Sequence, residues 1–142
     1  MSAQTIDAIR QRVASVCAGA PFDFLQAEDP FSFDLQPTGV IDGVFRLESE
    51  GGSVIGGFNY SEERTDPVRI WVARKQAADP ETCYVQLQRE ATSLRAAVIR
   101  DGLTSGGDYG VPDGGGSIIL REAGKEYAVL RLTIPVNYEA TV

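Results

Sequence analysis

The side chains that could do chemistry in this chain are two cysteines, a few acidic pairs and two glycine-rich stretches, and no histidine accompanies them. That absence removes the commonest general base, the side chain that titrates near neutral pH and the commonest metal ligand. A serine nucleophile would then need a lysine as its base, and Lys75 and Lys125, the two lysines present, lie beside no serine motif. The acidic pairs are Glu28–Asp29, Glu48 with Glu50, Glu62–Glu63 and Asp108 with Asp113. They fall mostly in expected loops, which reads as solvated charge; a divalent ion at a subunit contact is the alternative. Cys17 and Cys83 each occupy an apolar-compatible position of an expected helix and read as reduced, buried thiols.

The glycine-rich stretches, Gly51–Gly57 and Thr104–Gly116, fail a test for phosphate binding. A phosphate loop runs from a strand into a helix N-terminus, so that amides and helix dipole converge on the anion. Here the first stretch lies between strands, and the second follows a helix and precedes a strand. Neither carries Gly-Lys-Ser or Gly-Lys-Thr. No catalytic, cofactor-binding or metal-binding residue is therefore nominated, and no cofactor is expected: the chain reads as a non-enzyme.

Charge narrows the partners. With 13 basic and 20 acidic residues the net charge is −7, and the arginines are scattered singly. Neutralising phosphates needs clustered Lys and Arg, so specific nucleic-acid binding is disfavoured. An acidic surface would let DNA pass without sticking. No apolar run approaches the ~18 residues of a membrane span. Residues 1–10 lack a basic stretch followed by an apolar core, so no secretory signal is expected and the chain is placed in the cytoplasm or in an assembly built there.

The elements that must position these groups follow from periodicity. Ile6, Ile9, Val13 and Val16 recur at helical spacing, with Thr5 as cap and Gly19 and Pro21 beyond the end, predicting a helix over Thr5–Cys17. Residues 21–37 contain Phe22, Phe24, Phe31 and Phe33, which form either a packed arm over the core or a surface held by another subunit. Gly43–Glu48 reads as a strand. Gly51–Gly52 and Gly56–Gly57 bracket Ser53, Val54 and Ile55 as a hairpin tip, with alternation resuming at Phe58 and Tyr60. Arg69–Lys75 is the next strand. Asp79 then caps a helix that opens on Pro80, runs to Arg100 and is closed by Gly102. Its apolar stripe is Leu87, Ala91, Leu94 and Val98, with Cys83 and Tyr84 one turn earlier.

Six of the thirteen residues from Thr104 to Gly116 are glycine. A loop of that length is usually functional or disordered, and it is expected to contribute little apolar burial. Shortening it should then leave the fold stable while impairing assembly. Ser117–Glu122 is a strand, residues 123–125 a turn, and Tyr127 onward a long final strand. In it Ala128, Leu130, Leu132, Ile134, Val136 and Tyr138 share one face. Pro135 cannot donate a ladder bond and is expected at an edge or a bulge. Trp71 and Tyr84 lie in apolar-patterned elements and read as core rather than as stacking platforms. Residues 1–142 show no internal repeat and read as one domain. The expected class is α+β: an antiparallel or mixed sheet covered on one face by a long helix and a short N-terminal helix.

In this order of elements, and in the strand Arg69-Ile70-Trp71-Val72, the capped helix after it and the closing strand ending Val136-Asn137-Tyr138-Glu139, the chain resembles the tail terminator proteins of long-tailed phages. The resemblance implies a virion protein, assembled in the host cytoplasm, that forms a homo-hexameric ring at the head-proximal end of the tail tube. Such a ring ends tube polymerisation, touches the tail tube protein on one side and the neck or head-completion protein on the other, and lets DNA through its lumen without specific binding. Six-fold closure needs a heterologous contact between two different patches. The candidates are Ser53, Val54 and Ile55 at the hairpin and Asp108, Tyr109 and Val111 in the glycine loop. The other readings are a different connector, neck or tail-tube protein of the virion, or a small acidic binding module.

Overall fold

A computed structural model describes residues 5–27, 42–49, 53–58, 61–75, 79–104, 109–121 and 127–141. The class is α+β, with two helices and one six-stranded mixed sheet among the described residues. Helix α1 spans Ile6–Ala18 and helix α2 spans Pro80–Thr104. The strands are β1 (Leu25–Gln26), β2 (Val44–Glu48), β3 (Ser53–Phe58), β4 (Ser61–Lys75), β5 (Gly116–Arg121) and β6 (Tyr127–Thr141). The sheet order is β1-β2-β4-β6-β5, with β3 also paired to β4. Among the described strands only the β1–β2 pair is parallel.

The two helices begin where their caps dictate. Thr5 accepts from the Ala8 amide at 3.1 Å, satisfying one of the orphan donors of the first turn. Asp79 does the same work for α2: its carboxylate accepts from the Thr82 hydroxyl at 2.6 Å and from the Glu81 amide at 3.4 Å. The apolar stripes then meet the sheet. Ile9, Val13 and Cys17 of α1 and Cys83, Leu87, Ala91, Leu94 and Val98 of α2 are buried. Beneath them lie Phe45 and Leu47, then Val68, Ile70 and Val72, then the alternating set from Ala128 to Tyr138 on β6. Phe24 is buried in the same core and Phe22 packs against it, ring centroids 5.7 Å apart. The Phe22–Phe24 half of the aromatic stretch therefore covers core; Phe31 and Phe33 lie outside the described residues.

Burial pushes the Cys17 thiol up to about 12, because a thiolate cannot be solvated there. Native protein at pH 8 is expected to leave Cys17 unlabelled by a thiol-disulfide reagent. Labelling that follows the unfolding rate would agree; fast labelling of folded protein would show the site to be open.

Three elements differ from their sequence reading. Gly102 does not end α2, which continues to Thr104 with Gly102 buried inside it. Strand β4 begins at Ser61, eight residues before the apolar run at Arg69, and pairs with β6 along its whole length. Its polar half escapes a hydrophobicity criterion because it leaves the helix-covered region. Pro135 is not on an edge strand, since β6 has β4 on one side and β5 on the other. Asn137 exchanges both backbone bonds with Gly110 at 2.8 Å, so its polar groups point away from β4. Pro135, two residues earlier, is oriented the same way. It faces Pro67 across the β4–β6 ladder at a position where neither residue's nitrogen is asked to donate to the other. On its outer side, Pro135 falls between the last β5 pair, at Thr133, and the Gly110 bridge.

Candidate assembly surfaces

The candidate residues at the hairpin form a strand. Ser53–Phe58 pairs antiparallel with β4, Ser53 opposite Thr65 and Phe58 opposite Ser61, with a register shift between Val54 and Gly56. Chain reversal therefore falls between Phe58 and Ser61, and Ser53, Val54 and Ile55 are strand residues instead of a tip. They stay at the surface: Ser53 is exposed, and Val54 and Ile55 keep 56% and 53% of their surface in solvent. The carriers are the extended ends of β4 and β6, so β3, Ser61–Thr65 and Asn137–Thr141 make a three-stranded arm. Glu62 and Arg64 pair on it at 2.8 Å. Asp66 and Tyr138 are buried at its root, where burial and then the Asp66 charge raise the Tyr138 phenol above its usual range.

The glycine-loop candidates are not brought together as a contact surface. Asp108 lies outside the described residues. Tyr109 is core, 2% exposed, and Val111 is half-buried against the same cluster. The Tyr109 hydroxyl lies 2.8 Å from Asp101 Oδ2 and 2.9 Å from the Val98 carbonyl. Arg12 pairs with the Asp101 carboxylate at 3.1 Å, donates to the Asp101 carbonyl at 3.0 Å and stacks 5.0 Å from the Tyr109 ring centre. A Cβ on Gly102 would stand 2.7 Å from the Tyr109 carbonyl oxygen and 2.9 Å from its ring, so Gly102 serves close approach inside a helix. Two reasons, an aromatic ring to bury and a glycine to receive it, tie this loop to α1 and α2. The expectation that it adds little burial does not hold.

Trp71 and Tyr84 also depart from their core reading. Tyr84 is 49% exposed on α2, one position off the buried stripe. Trp71 is half-buried on the sheet face away from the helices, with the Arg46 and Arg131 guanidinium carbons 4.7 and 5.5 Å from its ring centre. The register places Arg46 opposite Trp71 and Trp71 opposite Arg131. Single arginines spread over 85 residues of sequence are thus gathered by strand pairing, with Glu48 beside Arg46 and Arg69 at 3.3 and 3.5 Å. No local signal in the sequence announces this cluster.

Two further acidic groups, Asp42 and Glu90, share an arginine. Among the described residues no cluster of three or more metal-ligating side chains occurs. Arg74 joins Asp42 (3.8 Å) to Glu90 (3.5 Å) and lies 5.5 Å from the Phe24 ring centre. Burial raises the Glu90 carboxyl, Arg74 opposes and Asp42 adds to the rise. A raised folded value means that ionising Glu90 costs stability: its contribution is full below the unfolded value and lost as pH rises through the folded one. Glu90→Gln is therefore expected to gain on the wild type between pH 4 and pH 7, measured as the difference in urea midpoint. A difference that shrinks over that range would show that Arg74 outweighs burial.

No protein-family model matches the chain, and the search of curated proteins finds no match. No helix among the described residues is long and apolar enough to cross a membrane.

Proposed function

We propose that this chain is a non-enzymatic structural subunit of a phage tail, a terminator that forms a ring at the head-proximal end of the tail tube and joins the tail to the neck. The supporting observation is the arm. Two fifteen-residue strands run on past the helix-covered core and carry a third strand whose Val54 and Ile55 are exposed. An isolated ribbon of this kind buries little of its own apolar surface, and it gains by packing on a neighbour. The order of elements, short helix, strands, long helix and closing hairpin, is in keeping with the resemblance on which the reading rests. The partners are further copies of the chain in a hexamer, the tail tube protein and the neck protein, and DNA crosses the lumen past an acidic protein.

The test is negative-stain electron microscopy of purified protein beside light scattering over a concentration series. Rings with a central hole and a mass six times the 15.3 kDa chain are expected. Val54→Glu with Ile55→Glu should abolish the rings with the circular dichroism spectrum unchanged, because both side chains already face solvent in the monomer. Rings that persist in this variant would remove the arm from the contact.

A further inference from the structure

The two margins of the sheet are guarded very differently. On the β2 side, β1 is two residues long, β3 carries a bulge at Val54/Gly56, and the Arg10 guanidinium donates to the Leu47 carbonyl at 3.3 Å on the outer edge of β2. Short edge strands, bulges and edge charges are the usual defences against unwanted strand pairing. On the other side β5 is the last strand of the described sheet, six residues long, Gly116–Arg121, without proline, lysine or bulge.

Its backbone and side chains are suited to one occupant. Thr133 has the orientation of Asn137, so it bonds toward β5 and Gly116 bonds back to it. Ser117, Ile119 and Arg121, offset by one, then aim their N–H and C=O groups outward. The ladder with β6 places Ile118 and Leu120 on the sheet face away from the helices, opposite Arg131 and Val129, and they are 43% and 47% exposed. On the helix side a groove of about 320 Å³ opens along the edge, between Thr92 and Arg95 of α2 and Ser117.

We infer that β5 is a two-fold interface, in which the β5 strands of two copies pair antiparallel about Ile119 and join their sheets into one. In this register Ile119 faces Ile119 of the second copy, Ser117 faces Arg121, and Ile118 faces Leu120. The outward backbone groups meet their own kind in hydrogen-bonded pairs. The exposed apolar side chains meet each other twice over on one face, and no like charges stand opposed. The inference does not rest on the ring reading, since it needs two copies and uses the margin opposite the arm.

Sedimentation equilibrium over a concentration series tests it on the full chain carrying Val54→Glu and Ile55→Glu, in which the arm contact of the ring is removed and only the β5 margin is left to pair. A species of twice the chain mass is expected. Ser117→Pro deletes an outward donor that the β6 ladder does not use, and Leu120→Lys puts a charge opposite the apolar Ile118 of the second copy; each should weaken the dimer by about tenfold or more. Val54→Lys in place of Val54→Glu, on the far margin, should leave it unchanged. Amide exchange of the unaltered protein provides a readout independent of whether the variants fold: the Ser117, Ile119 and Arg121 amides should gain protection with rising concentration. A monomer at every concentration, a dimer or ring indifferent to both β5 variants, or concentration-independent exchange at these three amides would overturn the inference.

Discussion

Replacing Tyr109 by alanine is expected to lower the unfolding free energy by about 3–5 kcal/mol, the range for deleting a fully buried aromatic side chain. The ring is 2% exposed, rests on Gly102 and lies under the Arg12 guanidinium. Tyr109→Phe separates the ring from its hydroxyl. It keeps the packing and leaves Asp101 Oδ2 and the Val98 carbonyl without the phenol proton. That loss is expected to cost about 1–3 kcal/mol, with Arg12 still holding Asp101 at 3.1 Å. Against a typical domain stability of ~5–15 kcal/mol, the alanine variant would be close to unfolding at 37 °C. Urea unfolding of the two variants beside the wild type measures both differences. An alanine variant as stable as the wild type would mean that residues 109–111 do not pack on the core in solution.

The second large effect is expected at Gly115. Its φ is +81°, a conformation that side-chain-bearing residues adopt at a cost of about 1–2 kcal/mol. A Cβ there would also overlap the Thr133 carbonyl oxygen and stand 2.9 Å from the Pro135 ring. Relieving that overlap requires pulling the start of β5 away from β6, at a further cost of about 1–3 kcal/mol. Gly115→Ala should therefore destabilise by about 2–5 kcal/mol in thermal or urea unfolding, and it should raise amide exchange along Gly116–Arg121 ahead of the rest of the sheet. Gly110→Ala is the control: a Cβ at Gly110 meets nothing within 4 Å, and its φ is not in the positive region. If Gly115→Ala and Gly110→Ala behaved alike, the crowding at Thr133 would be absent in solution.

Both effects sit in the glycine-rich stretch, whose local composition does not show its contacts. Six glycines in thirteen residues suggest a loop without burial. The count says nothing of one tyrosine reaching a helix whose glycine is seven positions earlier. The same gap explains Gly102: near a helix end it reads as a stop, while in the structure it is the space into which Tyr109 fits. Tertiary contact overrode the local signal in each case. The arm was partly legible. Val54 and Ile55 read as surface and are at the surface, but their glycine neighbours suggest a tip where the backbone is a bulged strand.

Periodicity alone determined the class of this fold. The six alternating apolar residues of β6, the stripe of α2 and the caps Thr5 and Asp79 are local patterns, each set by interactions within a few residues, and all are found where they were expected. Strand order, the extension of β4 into polar sequence, the seating of Pro135 opposite Pro67 and the gathering of Arg46 and Arg131 on Trp71 were decided only by the tertiary structure. Those features depend on which distant strands pair and in which register. Register is chosen by the burial of whole faces at once, so no short window of sequence contains it.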